Sequence, residues 1–154
     1  MLIAGGSYVW SHERLDYAKL SEGKLAQATI PQLKGLATRG RWLPDFEELA
    51  AYVEREIPPN DAILILPDED LFYYTTGREP RFPMLEFDIT THAYAFEEAL
   101  KLKQNPELRW LVVKREKQLD DRDINLALHL LARQLQPEFT RVKRLRNYDV
   151  YRRP

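Results

Sequence analysis

From residue 44 onward the apolar positions fall into short blocks separated by turn formers. Phe46, Leu49, Ala50, Val53 and Ile57 recur at helical spacing, so one face of residues 46–57 is apolar. Asp45, with Glu48 three residues on, resembles a capping box that starts this helix, and Pro58-Pro59 stops it. After a turn at Asn60-Asp61, Ala62–Leu66 (AILIL) is continuously apolar, the pattern of a strand covered on both faces. Pro67 ends that strand. Leu71–Thr76 then reads as a short helix with Gly77 at its C-terminal cap. Pro83–Phe87 is a second strand candidate. Ala93–Gln104 is a second amphipathic helix with Phe96, Ala99 and Leu100 inward, and Leu108–Val113 (LRWLVV) is a third buried strand. Asp120 or Asp121 caps a further long helix, whose inward stripe is Ile124, Leu128, Leu131 and Leu135 and which Pro137 closes. Phe139–Leu145 and Tyr148–Arg152 alternate apolar and polar around Arg146-Asn147, the pattern of a terminal hairpin.

Helices alternating with strands imply an α/β fold. The expected architecture is a three-layer sandwich: a mostly parallel, Rossmann-like central sheet, helices on both faces, and the C-terminal hairpin as an antiparallel edge. Residues 1–43 read differently. Gly5, Gly6, Ser21, Gly23, Gly35 and Gly40 interrupt every apolar stretch there. That stretch is expected to be an irregular arm with one short strand near Ala26–Ile30, and residues 44–154 a single domain.

Composition narrows the class without naming a reaction. The chain has 154 residues, enough for one domain with a core of its own. It is 44% hydrophobic and 31% charged with a net charge of −1, so nothing global draws it to nucleic acid or to an anionic membrane. It contains no cysteine, which excludes disulfides, thiolate zinc sites and a cysteine nucleophile. No apolar run approaches the roughly 18–20 residues that span a bilayer. The start, Met-Leu-Ile-Ala-Gly-Gly, lacks the basic flank of a signal peptide and reads as a cut end.

Candidate chemistry concentrates after the first buried strand. Asp68, Glu69 and Asp70 stand where ligands of open α/β sheets bind, beyond the carboxyl end of a strand. Asp68-x-Asp70 is a possible divalent-cation pair. Helix capping is the preferred account of the same residues, because carboxylates at a helix start meet free N–H groups and the helix dipole; no cofactor is therefore expected. Asp88 after the second strand candidate, with Lys114 after the third, matches a phosphoacceptor receiver pattern only loosely. Tyr73, Tyr74, Arg78 and Arg81 combine aromatic faces with guanidinium groups, which suit sugars and phosphates, although such aromatics more often pack a core or rim. There is no G-x-G-x-x-G, no Walker loop and no G-x-S-x-G elbow, and His12, His92 and His129 are not at metal-ligand spacing. The C-terminal stretch is locally basic, with Arg133, Arg141, Lys143, Arg144, Arg146, Arg152 and Arg153 against Glu138 and Asp149; it either meets lipid-headgroup phosphates or is a charged edge strand protected against aggregation, the reading preferred.

Four segments together resemble a known domain type. PDFEELAAYVEREIPPNDAI (44–63) leads to LPDEDLFYYTTGREPRFP (66–83); WLVVKR (110–115) follows, and the chain closes on YDVYRR (148–153). This order is similar to the C-terminal soluble domain of bacterial multi-spanning membrane glycosyltransferases, the superfamily of protein mannosyltransferases and the aminoarabinose transferase. The resemblance covers residues 44–153. It implies a non-catalytic, extracytoplasmic (periplasmic) domain, attached to a membrane-embedded part that transfers sugar from a polyprenyl-phosphate carrier. It further implies that this domain aids binding of acceptor or partner. The family's catalytic acid lies between early membrane helices, so none of its catalytic residues falls on this chain. The alternatives from the residues alone are a free-standing metal- or small-ligand-binding protein using Asp68–Asp70, and an interaction module.

Overall fold

The computed structural model describes residues 24–66, 69, 71–81, 97, 101, 102, 104–115, 133 and 136–154. Strands β1 (Leu25–Gln27) and β2 (Ala37–Arg39) form an antiparallel pair around a 3-10 turn at Pro31–Leu33. Gly40, at φ 88, makes the left-handed bend between β2 and the first helix, which a side chain would strain. Part of the expected arm is thus a small sheet, and Leu33 inserts from it into the core.

Helix α1 spans Trp42–Glu56 and begins earlier than its periodicity predicts. Pro44 is accommodated because first-turn N–H groups have no intrahelical acceptor to lose. The expected Asp45/Glu48 capping box does not form. Asp45 is buried beside Arg41, and Glu48 instead accepts the backbone N–H of Arg146 at 2.9 Å. Trp42, Leu43, Phe46, Leu49 and Val53 line the buried face of α1, and Ile57, its C-terminal cap, donates its N–H to the Val53 carbonyl.

Strand β3 (Ala62–Leu66) is wholly buried, as its unbroken apolar run demands, and α2 (Leu71–Thr76) follows it. Strands β4 (Leu108–Lys114), β5 (Thr140–Arg144) and β6 (Tyr148–Arg152) complete a four-stranded sheet in the order β3-β4-β6-β5. Among the described strands, β3 and β4 pair parallel, while β4 with β6 and β6 with β5 are antiparallel.

This topology overturns the three-layer, mostly parallel, Rossmann-like expectation. The hairpin is not an appendage: β6 lies inside the sheet and β5 at its edge. The burial of each strand explains the placement. Tyr148 to Tyr151 are buried in β6, whereas all five residues of β5 are exposed. Two α-helices, α1 and α2, are described over their whole length. Both contribute to one core cluster, with Ile63 and Ile65 of β3, Trp110 and Val112 of β4, and Tyr148 and Val150 of β6. Ile63 pairs with Trp110, Ile65 with Val112 and Val112 with Val150, and the six alternate along their strands, so they occupy one face. Leu64, Leu66, Leu111 and Val113 on the other face are equally buried.

The strand candidate at Pro83–Phe87 and the stripe Ile124–Leu135 lie outside the described residues. Of the helix expected over Ala93–Gln104, Glu97, Lys101 and Leu102 have helical backbone, and Gln104 is already in a turn.

Candidate functional site

Two places collect the polar residues that the sequence marks. The first is a buried junction at the carboxyl ends of the parallel strands. Glu69 lies between β3 and α2 and is 4% exposed. Its backbone carbonyl accepts the N–H of Phe72 at 2.9 Å, which sets the first turn of α2. Its carboxylate accepts Trp42 Nε1 at 2.9 Å on one oxygen and Tyr148 Oη at 2.6 Å on the other. The second oxygen also meets Lys114 Nζ at 3.0 Å, and both side chains of this ion pair are almost fully buried.

Each partner arrives for a local reason. Lys114 is the last residue of β4 and the register partner of Tyr148, the first of β6, so both stand at one end of the sheet. Trp42 opens α1 and stacks on Phe46 one turn later, with ring centroids 5.4 Å apart. A lone buried carboxylate would be strongly disfavoured in a low-dielectric interior. Here an ammonium, an indole N–H and a phenol O–H together replace its hydration. Chemically, the arrangement holds a charge in place, and both oxygens already have donors.

The second place is a cleft of about 860 Å³ between α1, the 3-10 turn and the end of α2. Ala50, Ile57, Ile63 and Tyr73 supply apolar lining; Glu54, Asn60, Asp61, Arg78, Glu79 and Arg81 supply polar lining. Arg78 is tied to backbone. Its guanidinium donates to the carbonyls of Ile57 at 2.6 Å and Pro58 at 2.9 Å, with longer contacts to Val53, Pro59 and Asp61. It therefore satisfies acceptors that the end of α1 and its Pro-Pro exit leave open. Burial lowers the Arg78 pKa from its ordinary value, and the nearby Asp61 carboxylate partly offsets this.

The Tyr73 hydroxyl donates to the Ile63 carbonyl at 3.1 Å, and burial raises its pKa. Asp61 accepts Trp110 Nε1 at 2.9 Å. Glu47 accepts the N–H groups of Thr29 and Ile30 and the Thr29 hydroxyl, which fastens the N-terminal strand pair to α1.

The residues singled out from the sequence therefore separate. Tyr73, Arg78 and Arg81 line the cleft. Glu69 belongs to the buried junction, and Tyr74 is 65% exposed outside both. Asp68 and Asp70 lie outside the described residues, as do Asp88, His92 and His129. Among the described residues no group of three or more His, Cys, Asp or Glu is placed to hold a metal ion. Sequence reasoning missed Trp42, Trp110 and Tyr148 as polar partners and took Lys114 only as a receiver-like lysine. The available signal was weak: each is a polar-tipped residue at the edge of an apolar block, where a buried N–H or O–H needs an acceptor.

Among the described residues no helix is long and apolar enough to cross a membrane. No protein-family model, curated protein or solved structure matches the chain.

Proposed function

We propose that this chain is a non-catalytic domain of a membrane glycosyltransferase-like protein, lying on the extracytoplasmic side of the membrane. Sugar transfer would belong to a membrane-embedded part of the same polypeptide. The observation that carries the reading is how the four resemblance segments engage one another. Glu69 of the second segment binds Lys114 of the third and Tyr148 of the fourth. Arg78 of the second holds carbonyls of the first, and Trp110 of the third binds Asp61 of the first. The residues that make the motif recognisable thus interlock as one framework. A motif built this way specifies a domain type, and its polar groups are occupied in holding it together.

Reading the coding region upstream of residue 1 tests the proposal. Several apolar spans of about 20 residues each are expected. A stop codon, or a polar globular sequence in their place, overturns it.

The cleft favours a second reading, a free-standing small-ligand binder, because its volume lies within the range of ligand pockets. The metal-dependent form of a free-standing binder uses Asp68–Asp70 and not the cleft; it predicts that Mg²⁺ or Mn²⁺ raises the melting temperature and that Asp70→Ala removes the rise. An unchanged melting temperature counts against that form.

A further inference from the structure

The C-terminal hairpin concentrates charge in a way that neither reading above requires. From Glu138 to Pro154 there are six cations and two carboxylates, Glu138 and Asp149, in a chain whose net charge is −1; Arg153 pairs with Glu138 at 3.4 Å. Arg141 and Arg144 share the Asp149 carboxylate, each at 3.9 Å, with 52% and 61% of their side chains exposed. Arg146, at the hairpin turn, stands 3.8 Å from Glu48 and is 60% exposed. Lys143 and Arg152 are exposed, and among the described residues no carboxylate lies at ion-pair distance from either. Arg152 instead lies over the Trp110 ring, 5.4 Å from its centroid.

Register places these cations on both sides of the sheet. Lys143 pairs with Val150 and so lies on the side of the core cluster, while Arg141 and Arg144 pair with Tyr151 and Asp149 on the opposite side. They straddle the outer edge of β5, where Val142 is 46% exposed at a register shift.

We infer that this edge docks on an anionic lipid surface, with the cations of both sides reaching headgroup phosphates and Val142 at the point of contact. Three observations favour lipid over other anions. An added peptide strand needs a regular ladder, and the irregularity between Arg141 and Lys143 interrupts the strand it would pair with. Single-stranded nucleic acid needs aromatic faces to stack on, and Phe139, Tyr148 and Tyr151 of this hairpin are buried. A lipid surface is read by charge without a fixed partner geometry, which cations splayed to both sides of an edge can satisfy. The inference is independent of any membrane-embedded part, since a free-standing chain would dock in the same way.

Co-sedimentation of the full chain with vesicles tests it. Binding is expected to phosphatidylglycerol in phosphatidylcholine, to be absent with phosphatidylcholine alone, and to weaken as salt is raised. Lys143→Glu with Arg144→Gln removes three units of charge and should weaken binding on the order of a hundredfold. Arg55→Gln, which removes an exposed cation from α1, should leave binding unchanged. A matched melting temperature of the double variant would show that the fold is retained. Equal binding to neutral vesicles overturns the inference, as does unchanged binding by the folded double variant. Retention by polyglutamate or single-stranded DNA without vesicle binding overturns the lipid assignment.

Discussion

The buried junction and the cleft use polar residues in opposite ways. At the junction, side chain meets side chain across long stretches of sequence: Glu69 joins Trp42, Lys114 and Tyr148, and the ion-paired side chains are almost fully buried. In the cleft, Arg78 binds backbone carbonyls at the end of α1 and Tyr73 the Ile63 carbonyl of β3, while the rim residues Glu54, Glu79 and Arg81 are exposed. The junction fixes which segments meet. Arg78 adds a second tie, to the carbonyls at the end of α1, Tyr73 adds a single bond to β3, and the rim leaves charge available to solvent. Substitutions should therefore fall in a graded series.

The largest loss is expected at the junction. Glu69→Ala leaves the Lys114 ammonium buried without its counter-charge and should cost about 3–5 kcal/mol in urea unfolding. Next comes Arg78→Ala. It removes a charged donor from the carbonyls at the end of α1 and should cost about 1.5–3 kcal/mol, read in the same experiment. Tyr73→Phe removes one hydrogen bond and should cost about 0.5–1.5 kcal/mol.

Tyr73 also carries a pH dependence. Burial raises its pKa above the ordinary 10.0. Below that ordinary value both folded and unfolded chains keep the proton, and this stabilising contribution is constant. Above it the unfolded chain ionises first, so stability falls until the folded phenol ionises too. Tyr73→Phe should flatten this alkaline decline, with a residue left by Tyr52, whose pKa is raised chiefly by burial and secondarily by Glu56. The smallest effect is expected at the rim, where Glu54→Gln or Arg81→Gln should change stability by no more than about 0.5 kcal/mol.

Much of this hierarchy was legible in local pattern and little of it in long-range pairing. The runs AILIL and LRWLVV and the alternation of YDVYR gave strands in their observed places, because apolar blocks bounded by turn residues leave the backbone few choices. Pro58-Pro59 and Gly77 ended helices as expected. The sheet order was not legible. Helix–strand alternation predicts parallel neighbours, but whether a terminal hairpin joins the sheet by its first or its second strand depends on which strand can be buried. The contrast between exposed TRVKR and buried YDVY was the signal for that choice.

The site was legible in part. The acidic triplet did mark the end of β3, but the triplet alone gave no reason to single out Glu69 over its neighbours. Its partners lie 27, 45 and 79 residues away along the chain, beyond any local rule. Arg78 showed the reverse problem. A guanidinium beside tyrosines suits a ligand, and only the geometry of the α1 terminus reveals the carbonyls that occupy it.

The central claim is that the motif's polar residues form a mutually dependent framework around Glu69. A double-mutant cycle on Glu69 and Lys114 tests it most directly, with urea unfolding of Glu69→Leu, Lys114→Met and the double variant. The account predicts that each single change destabilises strongly and that the double variant recovers a large part of the loss, with a coupling of at least about 1 kcal/mol. Single variants close to wild type, or losses that simply add, would contradict it.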